Sequence, residues 1–301
     1  MSRSPRSRAI LAATTEGVFD VETAEAVVSG LDVGFFTTRA GTSWALVGGR
    51  SVMRESGAQW SEVARFQRGA GLVAQPLDSE RLLIGTAGAH LARLEHGELE
   101  QLASFDGVDG RDEWKNPAAG GRPDVWSIAT SDAAIYVSVH VGGLWRSLDE
   151  GDSWTNVLAP EVDVHQVAAR NGTVCVAAEG GFGLSNDGGA SWSWTVEGLH
   201  AGYLQCVAMA DDAVYVGASS GPFGEDAAVY RASPPGGAFE RRSAGLPDRF
   251  PPMGPYHLAA DGEVVCAAEW SGDTVYRSAN GGRTWAPLPH TFPTIHSLAV
   301  G

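Results

Sequence analysis

The sequence predicts an all-β protein: a seven-bladed β-propeller of four-stranded antiparallel blades, its ring closed by a blade shared between the N- and C-termini. Three observations predict it. First, an octapeptide recurs: "SLDEGDSW" at 147–154, "SNDGGASW" at 185–192 and "SANGGRTW" at 278–285. Second, each copy is one corner of a longer unit in which four short β-rich runs alternate with Gly/Asn/Asp turns, and a period of roughly 40 residues with four strands per unit is the pattern of propeller blades. Third, the C-terminal "TIHSLAVG" reads as a first strand, whereas "AILAATTEGVFDVETAEAVV" reads as strands two to four. Joined, the two ends complete one blade and remove both free sheet edges.

The unit from 163 divides into "VHQVAA", "TVCVAAE", "FGLSN" and "SWSWTV". Units from 124, 203 and 255 follow the same plan, with Phe239 in the Trp place of the unit from 203. Two weaker copies come earlier. The unit from 32 has a shorter turn between Arg54 and Trp60, and the unit from 71 carries His96-Gly97 at the turn and no Trp. With blade 1 from about 10–29 plus 294–301, residues 1–301 form one predicted domain. The octapeptide explains itself as a turn. Asp187, or Asn280 in its copy, can accept from nearby backbone N–H groups in an Asx-type turn. Gly189 and Gly282 supply positive φ, and the Trp that follows buries its indole between blades.

The pattern S-x-[DN]-x-G-x-[ST]-W resembles the Asp-box, or BNR repeat, of sialidase-like, photosystem-assembly-factor-like and sortilin-like propellers. The resemblance covers essentially the whole chain. It implies the fold and says little about activity. It does not extend to a sialidase site: the early Arg-Ile-Pro-like motif is missing, and only Arg111, Arg122 and Arg249 stand in long loops where a three-arginine clamp would be needed.

Composition bounds the function. A net charge of −15, with Lys115 the single lysine, excludes a nucleic-acid surface and disfavours anionic membranes. The basic N-terminus has too short an apolar stretch for a secretion signal, and no segment approaches a transmembrane length. Cys175, Cys206 and Cys266 sit in apolar runs without metal spacing and read as buried free thiols, which fits a cytoplasmic protein.

Sorting residues by propeller topology locates the chemistry. The loops joining strands two to three, and blade to blade, lie on one face around the channel mouth. Seven of the eight histidines fall there by this rule, all but His96. Second strands end at Glu16, His140, Glu179, Ser219 and Glu269, and first strands open with His296, Trp126, His165 and Gln205 at one equivalent position. In blade 7 the alignment on Leu-Ala-Ala favours Tyr256 at this position and turns His257 away, because a one-residue slip reverses a strand's faces. The expected pairs are His165 with Glu179, His296 with Glu16 and Tyr256 with Glu269. These can be rim hydrogen bonds, acid–base pairs, or metal ligands with their orienters. A divalent metal is the one cofactor this face suggests, with His140, His165 and His296 as its ligands. Two long loops, 106–124 and 245–256, are expected to cover the face. Trp114 reads as a stacking residue for a planar ligand, Trp270 as packing between blades.

The predicted function is a binding or assembly scaffold, taking a small molecule, glycan or protein at the channel mouth. The alternative is a glycoside hydrolase or metal-assisted lyase or hydrolase on the same face. Its candidate catalytic residues are Glu16, Glu179, Glu269 and Tyr256.

Overall fold

A computed structural model describes residues 8–57, 59–115, 121–132, 134–250, 257–270 and 272–301. Seven four-stranded antiparallel sheets follow one another around a ring. Blade 1 joins Ile295–Val300 to Ile10–Thr14, Gly17–Asp20 and Ala26–Ser29, so the chain's two ends are stitched within one sheet. Blade 2 runs from Val33–Arg39 to Gln59–Arg65, and blade 3 from Gly71–Pro76 to Glu98–Gln101. Blade 4 runs from Val125–Ser131 to Thr155–Leu158, and blade 5 from Val164–Arg170 to Ser193–Thr195. Blade 6 runs from Tyr203–Met209 to Glu240–Arg241, and blade 7 from His257–Asp261 to Ala286–Pro287. The first strands of neighbouring blades touch all the way round, blade 7 against blade 1 and blade 1 against blade 2.

The second strands explain how the ring is filled. Ala134–Val139, Thr173–Ala178 and Val214–Ser219 are buried almost throughout, because each is covered on both sides by a neighbouring blade. The cores are therefore layers between blades. Each box aromatic docks backwards: Trp154 packs with Leu102 and Phe105 of the preceding connection, Trp192 with Tyr136, Phe239 with Phe182 and Trp285 with Tyr215. Burying Trp285, 6% exposed, is worth about 2–3 kcal/mol of apolar transfer. Gly198 and Gly245 have φ of +83° and +94°, and a Cβ there would run into the backbone carbonyl of Phe239 or Trp285. The glycines thus let one blade's exit lie flat on the next blade's aromatic.

The three octapeptide turns carry the same hydrogen bonds. Ser147 Oγ donates to Asp149 at 2.8 Å and accepts from the Gly151 N–H at 2.8 Å, and Asp149 accepts from the Ser153 N–H at 2.9 Å. Ser185, Asp187, Gly189 and Ser191 repeat the set. Ser278, Asn280, Gly282 and Thr284 do so with an amide in place of the carboxylate. The hydroxyl of Ser153, its N–H and the hydroxyl of Ser147 hold the Asp149 carboxyl down at about 2, and the Ser191 and Ser185 donors do the same to Asp187.

All three cysteines are free and buried. Burial pushes the Cys206 and Cys266 thiols up to about 12 and Cys175 further. Among the described residues no helix is long and apolar enough to cross a membrane.

Candidate functional site

A cavity of about 450 Å³ occupies the centre of the ring. A repeated irregularity of the first strands builds its wall. In six blades the register of first against second strand slips by one residue, leaving Gly34, Leu72, Trp126, His165, Gln205 and His296 unpaired. A bulged residue is re-aimed out of the ladder, and all six line the cavity. Blade 7 has no slip among the described residues: Leu258 pairs with Ala267 and His257 with Ala268. Leu258 therefore stands where Gln166 stands in blade 5, and His257 takes the seventh ring position. This is the register that the Leu-Ala-Ala alignment disfavoured. Tyr256 lies outside the described residues.

The partners of the ring differ from the expected His–Glu pairs. His165 is 4% exposed and fully engaged: Nδ1 meets the Leu204 carbonyl at 2.6 Å and Nε2 meets Asp163 at 3.3 Å. His296 Nε2 meets Asp32 at 3.3 Å. Glu179 and Glu16 are exposed and absent from the cavity wall. His165 meets the entry Asp of its own strand, two residues before it, and His296 meets the entry Asp of the following blade, whereas each second-strand Glu has already passed into the loop. Asp163 and Asp124 also accept the backbone N–H of Val141 and Gly88 in the preceding blade, at 3.3 and 2.9 Å. The dipeptide Asp-Val before three ring positions, at 32, 124 and 163, was the available signal for these residues.

Electrostatics follow the contacts. Burial pushes Asp163 up, but the His165 hydrogen bond and the charges of His165 and His140 outweigh it and hold the carboxyl below its ordinary value. Burial lowers His140, whose ring stacks on Trp126 at 3.9 Å and 5° behind the wall. Burial, then Asp163 and Glu179, push Tyr203 up to about 12 beside His165. His257 is pushed down to about 4 by burial and by His296. Burial and Asp273 raise Glu269, at the rim in the second-to-third loop of blade 7.

The two tryptophans exchange their expected roles. Trp114 is 2% exposed and packs with Phe105 and Trp145, so it cannot meet a ligand. Trp270 is 49% exposed, lines the cavity and lies nearly parallel to His257, 6.4 Å away. Polarity alone cannot distinguish them; Trp114 is drawn inward by the short helix Ala103–Asp106 and the turn Arg111–Glu113.

The metal reading does not fit this geometry. His165 spends both ring nitrogens on protein partners, and among the described residues no group of three His, Cys, Asp or Glu side chains can hold an ion. Of the other histidines expected at the mouth, His200 bonds Tyr230 at 2.8 Å and Asp226 at 3.3 Å, whereas His290 turns to the Val21 carbonyl at the third-to-fourth turn of blade 1, away from the mouth. The three loop arginines do not converge: Arg111 is buried beside Asp106, Arg122 pairs with Asp112 and Arg249 with Glu225.

Among the described residues, two buried polar atoms on the wall lack a protein partner, Gln205 Nε2 and Ser297 Oγ, on residues 4% and 8% exposed. Elsewhere in the ring the position of Ser297 braces the next blade: Ser127 Oγ and Gln166 Oε1 accept the N–H of Val167 and Val207 at 2.8 Å. Among the lining residues there is no Arg or Lys, and Asp124 is the one carboxylate.

No protein-family model matches the chain, and a search of the curated proteins finds no match. Solved structures match its fold. A GH74 xyloglucanase from Xanthomonas campestris aligns with 94% of this chain at 17% identity and a TM-score of 0.61, and the chain spans 46% of that enzyme. The WD40 repeats of RRP9 align with 98% of this chain and 88% of their own at 14% identity and 0.64. YCF48 from Cyanidioschyzon merolae aligns with 97% and 88% at 12% and 0.59. At such identities the likeness is one of fold, and it spans both hydrolases and scaffolds.

Proposed function

We propose that the chain is a single-domain, cytoplasmic binding or assembly propeller of the Asp-box type, with its ligand seated in the central cavity. One observation carries the reading: Gln205 Nε2 and Ser297 Oγ are buried on the cavity wall without partners among the described residues. An unsatisfied buried polar group costs roughly 1–3 kcal/mol, and an incoming carbonyl or hydroxyl oxygen relieves it. Trp270, half exposed beside His257, offers a face to the ligand's apolar side. The three identically bonded turns support the Asp-box assignment, and lone buried thiols fit a reducing compartment.

Hydrolysis on the same face has less support. A glycoside hydrolase places two carboxylates about the scissile bond. The lining residues offer only Asp124, already bonded to the Gly88 N–H, while Glu269 stands at the rim.

Gly34→Trp tests the reading. A Cβ at Gly34 meets nothing closer than 3.9 Å, so the indole fills the cavity without displacing the strand. In a fragment titration followed by NMR, carbonyl- and hydroxyl-bearing fragments should shift the Gln205 side-chain amide in the wild type and bind at least tenfold more weakly to Gly34→Trp. Fragment binding that is unchanged in the filled variant sinks the proposal.

A further inference from the structure

A second cavity, of about 520 Å³, opens between blades 2 and 3. Its wall includes Arg65, Arg68, His90 and Gln101, with Phe66 and Leu99 as an apolar side. In a chain of net charge −15, no carboxylate is among its lining residues.

Behind the wall stands an ordered relay. His90 Nδ1 lies 2.7 Å from Asp106 Oδ1. Asp106 is the nearest partner of Nδ1, which also lies 3.1 Å from Gln101 Nε2 and from Arg111 Nη2. An ionised carboxylate only accepts, so in the Asp106 bond Nδ1 carries the hydrogen and Nε2 keeps the lone pair. Asp106 is held in turn by Gln101 and by Arg111 at 3.1 Å. Arg111 is itself fixed: its side chain is 4% exposed, Nη1 donates to the Ala89 carbonyl at 2.5 Å, and its guanidinium lies over Phe105 and Trp114 at 5.7 and 5.2 Å. His90 on the cavity wall thus has its Nδ1 engaged from behind, which leaves Nε2 for the groove. Beside it, Arg65 is shared with Glu62, and Arg68 forms no ion pair among the described residues.

We propose that this groove is a second ligand site, separate from the channel, for an oxyanion carried on an apolar chain. Binding draws one proton onto His90 Nε2, from the ligand's acid form or from solvent. The imidazolium then donates to the oxyanion, while Asp106 balances its charge from behind. Arg68 supplies the second charged donor, and Phe66 and Leu99 cover the chain. The charged groups facing His90 are Asp106 and Arg111 from the blade 3 to 4 connection and Arg65 and Arg68 from blade 2.

The test is calorimetric titration of the full chain with acetate, hexanoate and hexyl phosphate, in buffers of different ionisation enthalpy. The expected result is hexanoate or hexyl phosphate binding at least tenfold tighter than acetate, with about one proton taken up near pH 7.5. Arg68→Ser should weaken binding at least fivefold with Tm unchanged. His90→Gln should weaken it similarly and abolish proton uptake, which a merely structural role for His90 would leave in place. Tighter hexanoate assigns the site to carboxylates, tighter hexyl phosphate to phosphate monoesters, and either supports it. No saturable binding of either chain, or binding indifferent to both substitutions, overturns it.

Discussion

The two cavities open among the same set of loops and are opposite in kind. The central one is assembled by symmetry, with a ring residue from each first strand, and its wall carries imidazoles, indoles, two amides and one carboxylate but no arginine or lysine. The groove between blades 2 and 3 is lined by the blade 2 to 3 connection and by blade 3, backed by Asp106 and Arg111 from a connection that folds into a short helix and a turn, and its wall carries two arginines, one histidine and no carboxylate. Repetition makes a socket without arginine or lysine, because bulges aim whatever each strand offers at one axis. The groove is charged because the end of blade 2 and the connection that follows it bring Arg65 and Arg68 to the wall, with Arg111 buried against Asp106 behind.

This contrast is open to attack from both sides. The largest effect is expected in the core behind the groove. Trp114→Ala should cost about 3–5 kcal/mol in denaturant unfolding, as it removes a fully packed indole; a loss below 1 kcal/mol would mean the connection is an independent flap. Arg111→Ala comes next, at about 3 kcal/mol, because it leaves the Asp106 carboxylate half-buried without its cation. Guanidinium added back to solution should not restore stability, since the site is enclosed by Phe105 and Trp114.

On the central side the expected effects are smaller. His257 binds its proton less readily folded, at about 4, than unfolded, near 6.5. Between these values the unfolded chain holds more protons, so stability falls as pH drops from about 6.5 towards 4. Its contribution should be at most about 3 kcal/mol across that window. His257→Gln should flatten that limb of the stability–pH profile, and an unaltered limb would reassign it to the other histidines. Trp270→Ala should change stability by less than about 0.5 kcal/mol, as expected of a half-exposed residue. It should still weaken any ligand of the central cavity several-fold; a large stability loss instead would make Trp270 a structural residue.

Much of this arrangement was legible in the residues, and the limits are physical. Trp126, His165, Gln205 and His296 share a place in the repeat, so alignment alone brought them to one ring. Gly34 and Leu72 share it too, but their side chains announce no chemistry. Blade 7 was ambiguous because its missing slip shifts every later residue by one, and local sequence does not reveal whether a strand bulges. The partner of His165 was misassigned for a related reason: Asp163 and Glu179 lie equally close in the repeat, and only the path of the backbone past the mouth separates them.

By itself, then, the sequence determined the number of blades, their strands, the termini's shared sheet and the turn that staples strands three and four. Each of these rests on contacts close in the chain or on a period that repeats. The tertiary structure alone decided which tryptophan faces solvent, which carboxylate meets which imidazole, and that Gln205 Nε2 and Ser297 Oγ have no partner among the described residues. Those outcomes depend on side chains from different blades meeting across a gap, and the width of a gap is set by the closure of the whole ring.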